Sequence, residues 1–420
     1  MKKQNSKILI VDDLPKNIQL LGTILNEDNY DVEFALNGPD ALQWVKSDHF
    51  DLIILDIMMP GMDGYEVCTR LKENEKTREI PVIFITAKND TDSTIKGFEV
   101  GGIDYITKPF NSQELLSRVK THIQLYKQKQ ELNKKNLHIT DSINYAQRIQ
   151  HAALPENLQI KELLPDHFIL YKPRDIVSGD FYWVKQIEHK AIIAVGDCTG
   201  HGVPGAFMSM LALSFLNEII HDVEKINAAH ILTELSKKIK YLLKPNSDDQ
   251  AIKDSIDMSL IIIDYEELSM QFSGAQSLMM MVREGLHDNL SGETDHIKIQ
   301  QNTEKNNTLF QISGLRRPVG FDYRQHKKDF YNQNFRLKEG DVVYLFSDGY
   351  IDQFGGEKNL RYSRKRFKNL LSNIYDKPFN TQKEILEKEL ITWQNDNSQL
   401  DDIVIFGFRV ADAYGEVDLF

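Results

Sequence analysis

Between Pro109 and Pro155 the chain carries neither glycine nor proline. Nothing there breaks a helix, and the spacing predicts a single one from Asn111 to Ala153. Asn111 or Ser112 is placed to cap it, and Pro155 marks its end. Its middle, KQKQELNKKN, is polar nearly all round, so it cannot run through a core. The stretches on either side are therefore expected to fold separately. The division this predicts is residues 1–124, a helical linker over 125–160, a second domain over 161–411 and an acidic tail over 412–420. Leu125, Leu132, Ile139, Ala146 and Ala153 recur at sevenfold spacing, a pattern that fits a solvated connector as well as a coiled coil between paired chains.

Ahead of that helix, apolar runs at Ile8–Val11, Val32–Ala35, Leu52–Leu55, Val82–Ile85 and Ile103–Ile106 alternate with helical periodicities. Short continuous runs between helices predict a parallel sheet covered on both faces, an α/β doubly wound domain. Ligands of such sheets gather at the carboxyl ends of the strands. Asp12 and Asp13, Asp56, Thr86 and Lys108 all fall there. With LDIMMPGMDG around Asp56, Ala87 after Thr86, and Tyr105 ahead of Lys108-Pro109, the first 125 or so residues resemble a response-regulator receiver domain. The resemblance implies a five-stranded sheet and a phosphoryl group accepted by Asp56 from a cognate histidine kinase. It also implies Mg²⁺ on Asp12, Asp13 and Asp56, phosphoryl contact by Lys108, and Thr86 and Tyr105 as the residues that report phosphorylation. A carboxylate can attack a phosphoryl donor only where a cation neutralises the negative charge around it.

Beyond the helix, AIIAVGDCTGHGVPGAFMSM reads as a buried strand that stops at Asp197, turns through Gly200-His201-Gly202 and starts a helix near Pro204. The same device, an acid at the edge of an apolar strand, recurs at Asp180 in SGDFYW, Asp348 in LFSDGY, and Asp401-Asp402 before IVIFGF. Acidic edges repeated in one domain predict a carboxylate cage for hard divalent cations, Mg²⁺ or Mn²⁺ rather than zinc. Several antiparallel strands with paired helices predict an α+β sandwich. Ser273-Gly274-Ala275-Gln276 reads as a tight turn, and the polar stretch from Asp288 to Thr308 as a mobile surface loop. His201 could ligate metal, act as an acid or shape its loop. No phosphate-cradling loop with Arg follows Cys198, so its side chain is assigned to packing.

Ser178-Gly179-Asp180-Phe181-Tyr182, Asp197-x-x-Gly200-His201-Gly202, Ser347-Asp348-Gly349 and Asp401-Asp402, with FSGAQ and RRPVG, carry a second resemblance. Residues 160–410 resemble the PPM-type metal-dependent serine/threonine phosphatases, in the bacterial branch of sporulation and RsbU-like sigma-regulating enzymes. That implies two Mn²⁺ or Mg²⁺ ions surrounded by Asp180, Asp197, Asp348 and Asp401, with the Cys198 carbonyl as a further ligand and Asp402 in the first or an outer shell. Catalysis would rest on Asp197, Asp348 and Asp401, and the substrate would be a phosphoprotein, an anti-sigma antagonist of the STAS type. Trp183 stands where many members have an acid, Asp352 where Glu is common, and Val404 where Thr is common; none is a proposed direct ligand.

Composition narrows the alternatives. The net charge of −12 argues against nucleic acid as the main partner, and no basic recognition helix is evident. Two cysteines imply no disulfide framework, and no signal-like or spanning run suggests membrane insertion, so a cytoplasmic protein is expected. The expected whole is a homodimeric response regulator with phosphatase output; the rival is a phosphatase-like scaffold that binds partners without catalysis.

Overall fold

The computed structural model describes residues 5–87, 91–221, 226–243, 254–287, 289–290, 297–322 and 328–411. The expected acidic tail lies outside them. The chain divides into two compact units, residues 1–140 and 141–420. The helix Ser112–Ala153 runs through residues 140 and 141 without a break.

The first unit is a five-stranded parallel sheet, ordered Asp31–Ala35, Lys7–Val11, Leu52–Asp56, Val82–Ala87, Asp104–Lys108. Its three inner strands, Lys7–Val11, Leu52–Asp56 and Val82–Ala87, are nearly continuous apolar runs because both faces are covered. Leu9, Val11, Ile53 and Leu55 pack on one side, while Ile8, Ile10, Leu52 and Ile54 pack on the other. Leu115, Val119 and Ile123 of the long helix complete the second face. Two-residue periodicity thus splits each run between two cores, and the acids that end the runs are left at one edge.

The second unit stacks two antiparallel sheets between helix pairs. One sheet is ordered Gln333–Arg336, Ser269–Ala275, Ser255–Asp264, Lys190–Cys198, Phe181–Ile187. The other is ordered Ile297–Asn302, Asn307–Ser313, Leu278–Glu284, Val342–Phe346, Ile403–Arg409, His167–Lys172. Ala191, Ile193 and Val195 meet Met279, Val343 and Phe406 in the core between the sheets. Ile192 and Ala194 face the opposite way, onto the helices Gly202–His221 and Ala228–Leu242. The helices Arg364–Ile374 and Phe379–Gln394 cover the far sheet. Gly202–His221 is long and apolar enough to cross a membrane. Here Met208, Ala212, Leu213, Leu216 and Ile219 of that helix pack into the protein's own core.

Two expectations fail. The stretch read as a mobile loop contains the strand Ile297–Asn302 and the start of Asn307–Ser313. Ile297–Asn302 is an edge strand with one neighbour, so its polar side chains stay exposed and hide the alternation. The turn expected at Ser273–Gln276 begins later. The strand continues through Ala275, and Gln276, at φ 51°, makes the reversal before Leu278.

Candidate functional sites

In the first unit, Asp12 and Asp56 are buried at neighbouring strand ends, and ligand oxygens of Asp12, Asp13 and Asp56 lie within 4.8 Å of one another. Lys108 reaches in from the last strand, with Nζ 2.9 Å from Asp56 Oδ2 and 3.2 Å from Asp12 Oδ2. Asn17 donates to both Asp12 oxygens and the Leu14 amide to one of them. Burial pushes the Asp56 carboxyl up, against the pull of Lys108. Burial alone would lower Lys108, but Asp56 and Asp12 raise it, so it stays a cation. Thr86 and Tyr105 line one small cavity with Phe84 and Phe98. Asp12, Asp13, Asp56 and Lys108 thus meet at the strand ends, while Tyr105 lies near the start of the last strand, in the cavity it shares with Thr86. Asp104 was not foreseen; it binds Arg118 at 2.6 Å and His122 at 2.9 Å, fastening the last strand to the long helix.

In the second unit, Asp197 ends its strand beside Asp257, its register partner on the next strand. Asp197, Asp348, Asp401 and Asp257 line one cavity of about 300 Å³, together with Cys198, His201 and Gln276. Asp180 lies behind it, almost fully buried, in side-chain contact with Ser347 and Asp197. Glycine makes this assembly possible. A Cβ on Gly179 would come 2.7 Å from the Gly200 carbonyl oxygen, and one on Gly205 would come 2.2 Å from that same oxygen. The loop before Asp180, the turn after Asp197 and the helix start close on one another only without side chains there.

The electrostatics are those of uncompensated negative charge. Burial, then Asp180, Asp348 and Asp401, push the Asp197 carboxyl well above its ordinary range. Burial likewise raises Asp180, with Asp402 and Asp401 adding to it, and raises Asp348 and Asp401. Among the described residues, no lysine or arginine forms an ion pair with Asp180, Asp197, Asp348 or Asp401. Asp180 Oδ2 is buried without a hydrogen-bond partner. An orphaned carboxylate oxygen amid other carboxylates fits a hard divalent cation.

Asp402 is bonded differently. Its Oδ1 accepts from the Arg174 amide and its Oδ2 from the Gly179 amide, both at 2.7 Å. Those bonds occupy it as a clamp on the loop that carries Asp180. A Cβ on Gly349 would lie 2.0 Å from the Asp402 carbonyl oxygen, which explains the glycine after Asp348. His201 Nδ1 lies 2.8 Å from Asp175 Oδ2 at the mouth. Trp183 points into the core and donates to Asn217, while Asp352 pairs with Arg361 outside the cavity. Sequence reading missed Asp257, although it too precedes an apolar run. The Gln276 amide donates to it at 3.1 Å, and burial pushes its carboxyl up to about 7. A larger cavity, about 990 Å³, lies between His167–Lys172 and the start of the helix Phe379–Gln394, and none of these carboxylates lines it.

Fold and sites together define a receiver domain joined to a PP2C-like phosphatase domain. A response-regulator receiver model matches residues 8–120. The chain belongs to the stage II sporulation protein E (SpoIIE) family, whose model matches residues 187–411 and so begins after Asp180. The SiaA PP2C domain of Pseudomonas aeruginosa is 31% identical, with a TM-score of 0.55, over 66% of this chain and 98% of that one. Response regulator PleD of Caulobacter vibrioides is 44% identical over 117 residues, 28% of this chain and 26% of PleD. Transcriptional regulatory protein ResD of Bacillus subtilis is 44% identical over 115 residues, 27% of this chain and 47% of ResD. The chain thus spans half or less of these two relatives, and the likeness is confined to the receiver.

Proposed function

We propose that the chain is a response regulator whose output is metal-dependent hydrolysis of phosphoserine or phosphothreonine in a protein substrate, controlled by phosphorylation of Asp56. The observation that carries this is the convergence of Asp197, Asp348 and Asp401 on one cavity, with the unpartnered Asp180 oxygen behind it. Asp180, Asp197, Asp348, Asp401 and the Cys198 carbonyl would hold two Mn²⁺ or Mg²⁺ ions. Bound there, the ions supply charge neutralisation for the phosphoryl group and a water acidified enough to attack it. Asp197 is in side-chain contact with both Asp180 and Asp348, and Asp402 fixes the Asp180 loop through the Arg174 and Gly179 amides. His201, oriented by Asp175, stands at the mouth where a leaving alcohol would depart. No covalent enzyme intermediate is needed.

In the receiver, Asp12 and Asp13 would bind Mg²⁺ beside Asp56, with Lys108 oriented towards the phosphoryl group delivered by a histidine kinase. The substrate that suits the family is a STAS-type anti-sigma antagonist, in a cytoplasmic partner-switching pathway. Leu125, Leu132 and Ile139 are exposed along the long helix at sevenfold spacing, which supports pairing of two chains through a coiled coil. The test is hydrolysis of a chromogenic phosphate and of a phosphoserine protein with and without Mn²⁺. Mn²⁺-dependent release of phosphate is expected. No release by chain shown to bind Mn²⁺ would leave the scaffold reading in its place.

A further inference from the structure

A smaller cavity, about 90 Å³, shares Asp197, Asp257, Gln276 and Asp348 with the one that His201 lines, and Arg364 lines it with them. Among the described residues, no other lysine or arginine lines either cavity. The backbone accounts for its place. Past Asp348 the chain turns through Gly349–Asp352 and comes back to begin the helix Arg364–Ile374. The Tyr362 amide donates to the Gln353 carbonyl and the Ser363 amide to the Ile351 carbonyl, both at 2.9 Å. Tyr362 is buried and packs edge-on against Tyr350, with ring centres 5.2 Å apart. Ser363 is held at φ 78°, in the region that favours glycine, and Arg364 therefore starts its helix beside the Asp348 segment.

The arginines on either side of it have partners. Arg361 pairs with Asp352 at 3.0 Å, and Arg366 lies over the Trp393 ring, 4.0 Å from its centre. Arg364 is exposed and, among the described residues, has no carboxylate partner. It belongs instead to a group of like charges: burial, then Lys298 and Arg364, hold Lys368 below its ordinary range. Cations gathered beside a cavity, in a chain of net charge −12, repel one another at a cost that an acidic partner would relieve. Because Arg364 is exposed, it stands at the rim, apart from the buried acids. It is placed for what surrounds a phosphorylated residue, while ions held by the acids would take the phosphoryl group itself.

We propose that Arg364 is a specificity-determining residue: with Lys298 and Lys368 it binds an acidic side chain flanking the phosphorylated serine or threonine, so that acidic segments of phosphoproteins are the preferred substrates. The proposal rests on the phosphatase reading above. The test uses the full chain with Mn²⁺ and three substrates: a phosphoserine peptide with Glu on both sides of the phosphoserine, the same peptide with Gln in their place, and a chromogenic phosphate. The Glu peptide should be turned over with a kcat/KM about fivefold above that of the Gln peptide, the worth of a good exposed ion pair, and the difference should lie in KM. Raising the salt concentration should shrink it. Arg364→Gln should remove most of that preference, Arg364→Lys should keep most of it, and Arg364→Glu should turn it against the Glu peptide.

A preference that survives Arg364→Gln overturns the proposal. So does an equal loss on both peptides and on the chromogenic phosphate, because that is the mark of contact with the phosphoryl group or of damage to the cavity. Fluorescence anisotropy of the labelled peptides separates the proposal from the reading it rests on. A parent chain that hydrolyses nothing, yet binds the Glu peptide more tightly than the Gln peptide only while Arg364 is present, overturns the phosphatase reading alone. One that hydrolyses all three substrates with no preference between the peptides overturns the proposal alone. One that neither hydrolyses nor prefers the Glu peptide overturns both.

Discussion

The receiver and the phosphatase unit each gather carboxylates at the ends of buried strands, yet they deal with the charge differently. In the receiver, Lys108 bonds to Asp56 and Asp12, and three acids sit close together with a protein cation already among them. In the phosphatase unit, among the described residues, no lysine or arginine pairs with Asp180, Asp197, Asp348 or Asp401, and burial and mutual repulsion raise all of them. The first site is partly neutralised by its own chain. The second has no such partner among the described residues, and burial is the largest cause of its raised carboxyls.

The largest expected effects separate the two sites. Asp197→Asn or Asp348→Asn preserves volume while removing a ligand charge, and should cut Mn²⁺-dependent hydrolysis on the order of a thousandfold. Acetyl-phosphate labelling of the receiver should be untouched. Near-normal turnover in steady-state assays would remove that residue from the mechanism. The mirror experiment is Asp56→Asn, expected to abolish labelling, because an amide is a poor nucleophile, and to leave basal hydrolysis of a small phosphate intact. Stoichiometric labelling of that variant would place the phosphate elsewhere.

A smaller effect concerns how the sites communicate. Inserting Gly-Gly-Ser near Lys134 interrupts the long helix without moving any cavity residue. Basal hydrolysis should persist, and the response of protein-substrate turnover to Asp56 phosphorylation should disappear. A full response in the insertion variant would mean that direct contact between the domains carries the signal.

The smallest effect is the pH dependence that Asp257 adds in the second site. Asp257 ionises near 3.8 in an ordinary setting and at about 7 in the folded protein. Between those values the native state holds a proton that the unfolded chain has lost. Metal-free stability should therefore fall as pH rises towards 7 and level off above it, by at most about 1.4 kcal/mol per pH unit. Asp257→Asn should reduce that slope in thermal melts, leaving the part that the other raised carboxyls contribute. An unchanged slope would show that Asp257 does not carry it.

The first unit was largely legible because its inner parallel strands leave nearly uninterrupted apolar runs, two of them ending at Asp12 and Asp56. The edge strand Ile297–Asn302 was not, since half of an edge strand's pattern faces solvent. The acids Asp180, Asp197, Asp348 and Asp401 could be read from repeated strand-edge placement. Asp257 also precedes an apolar run, but its place beside Asp197 depends on the register of two strands distant in sequence. Asp402 shows the converse: adjacent in sequence to Asp401, it spends both carboxylate oxygens on backbone amides.

The most direct test is turnover of a phosphoserine protein by the full chain with Mn²⁺, before and after labelling of Asp56 with acetyl phosphate. Hydrolysis should require Mn²⁺ and change on labelling in the parent chain, and should not respond to acetyl phosphate in Asp56→Asn. Hydrolysis without divalent cation, or the same rate before and after confirmed labelling, would contradict a metal-dependent phosphatase governed by its receiver.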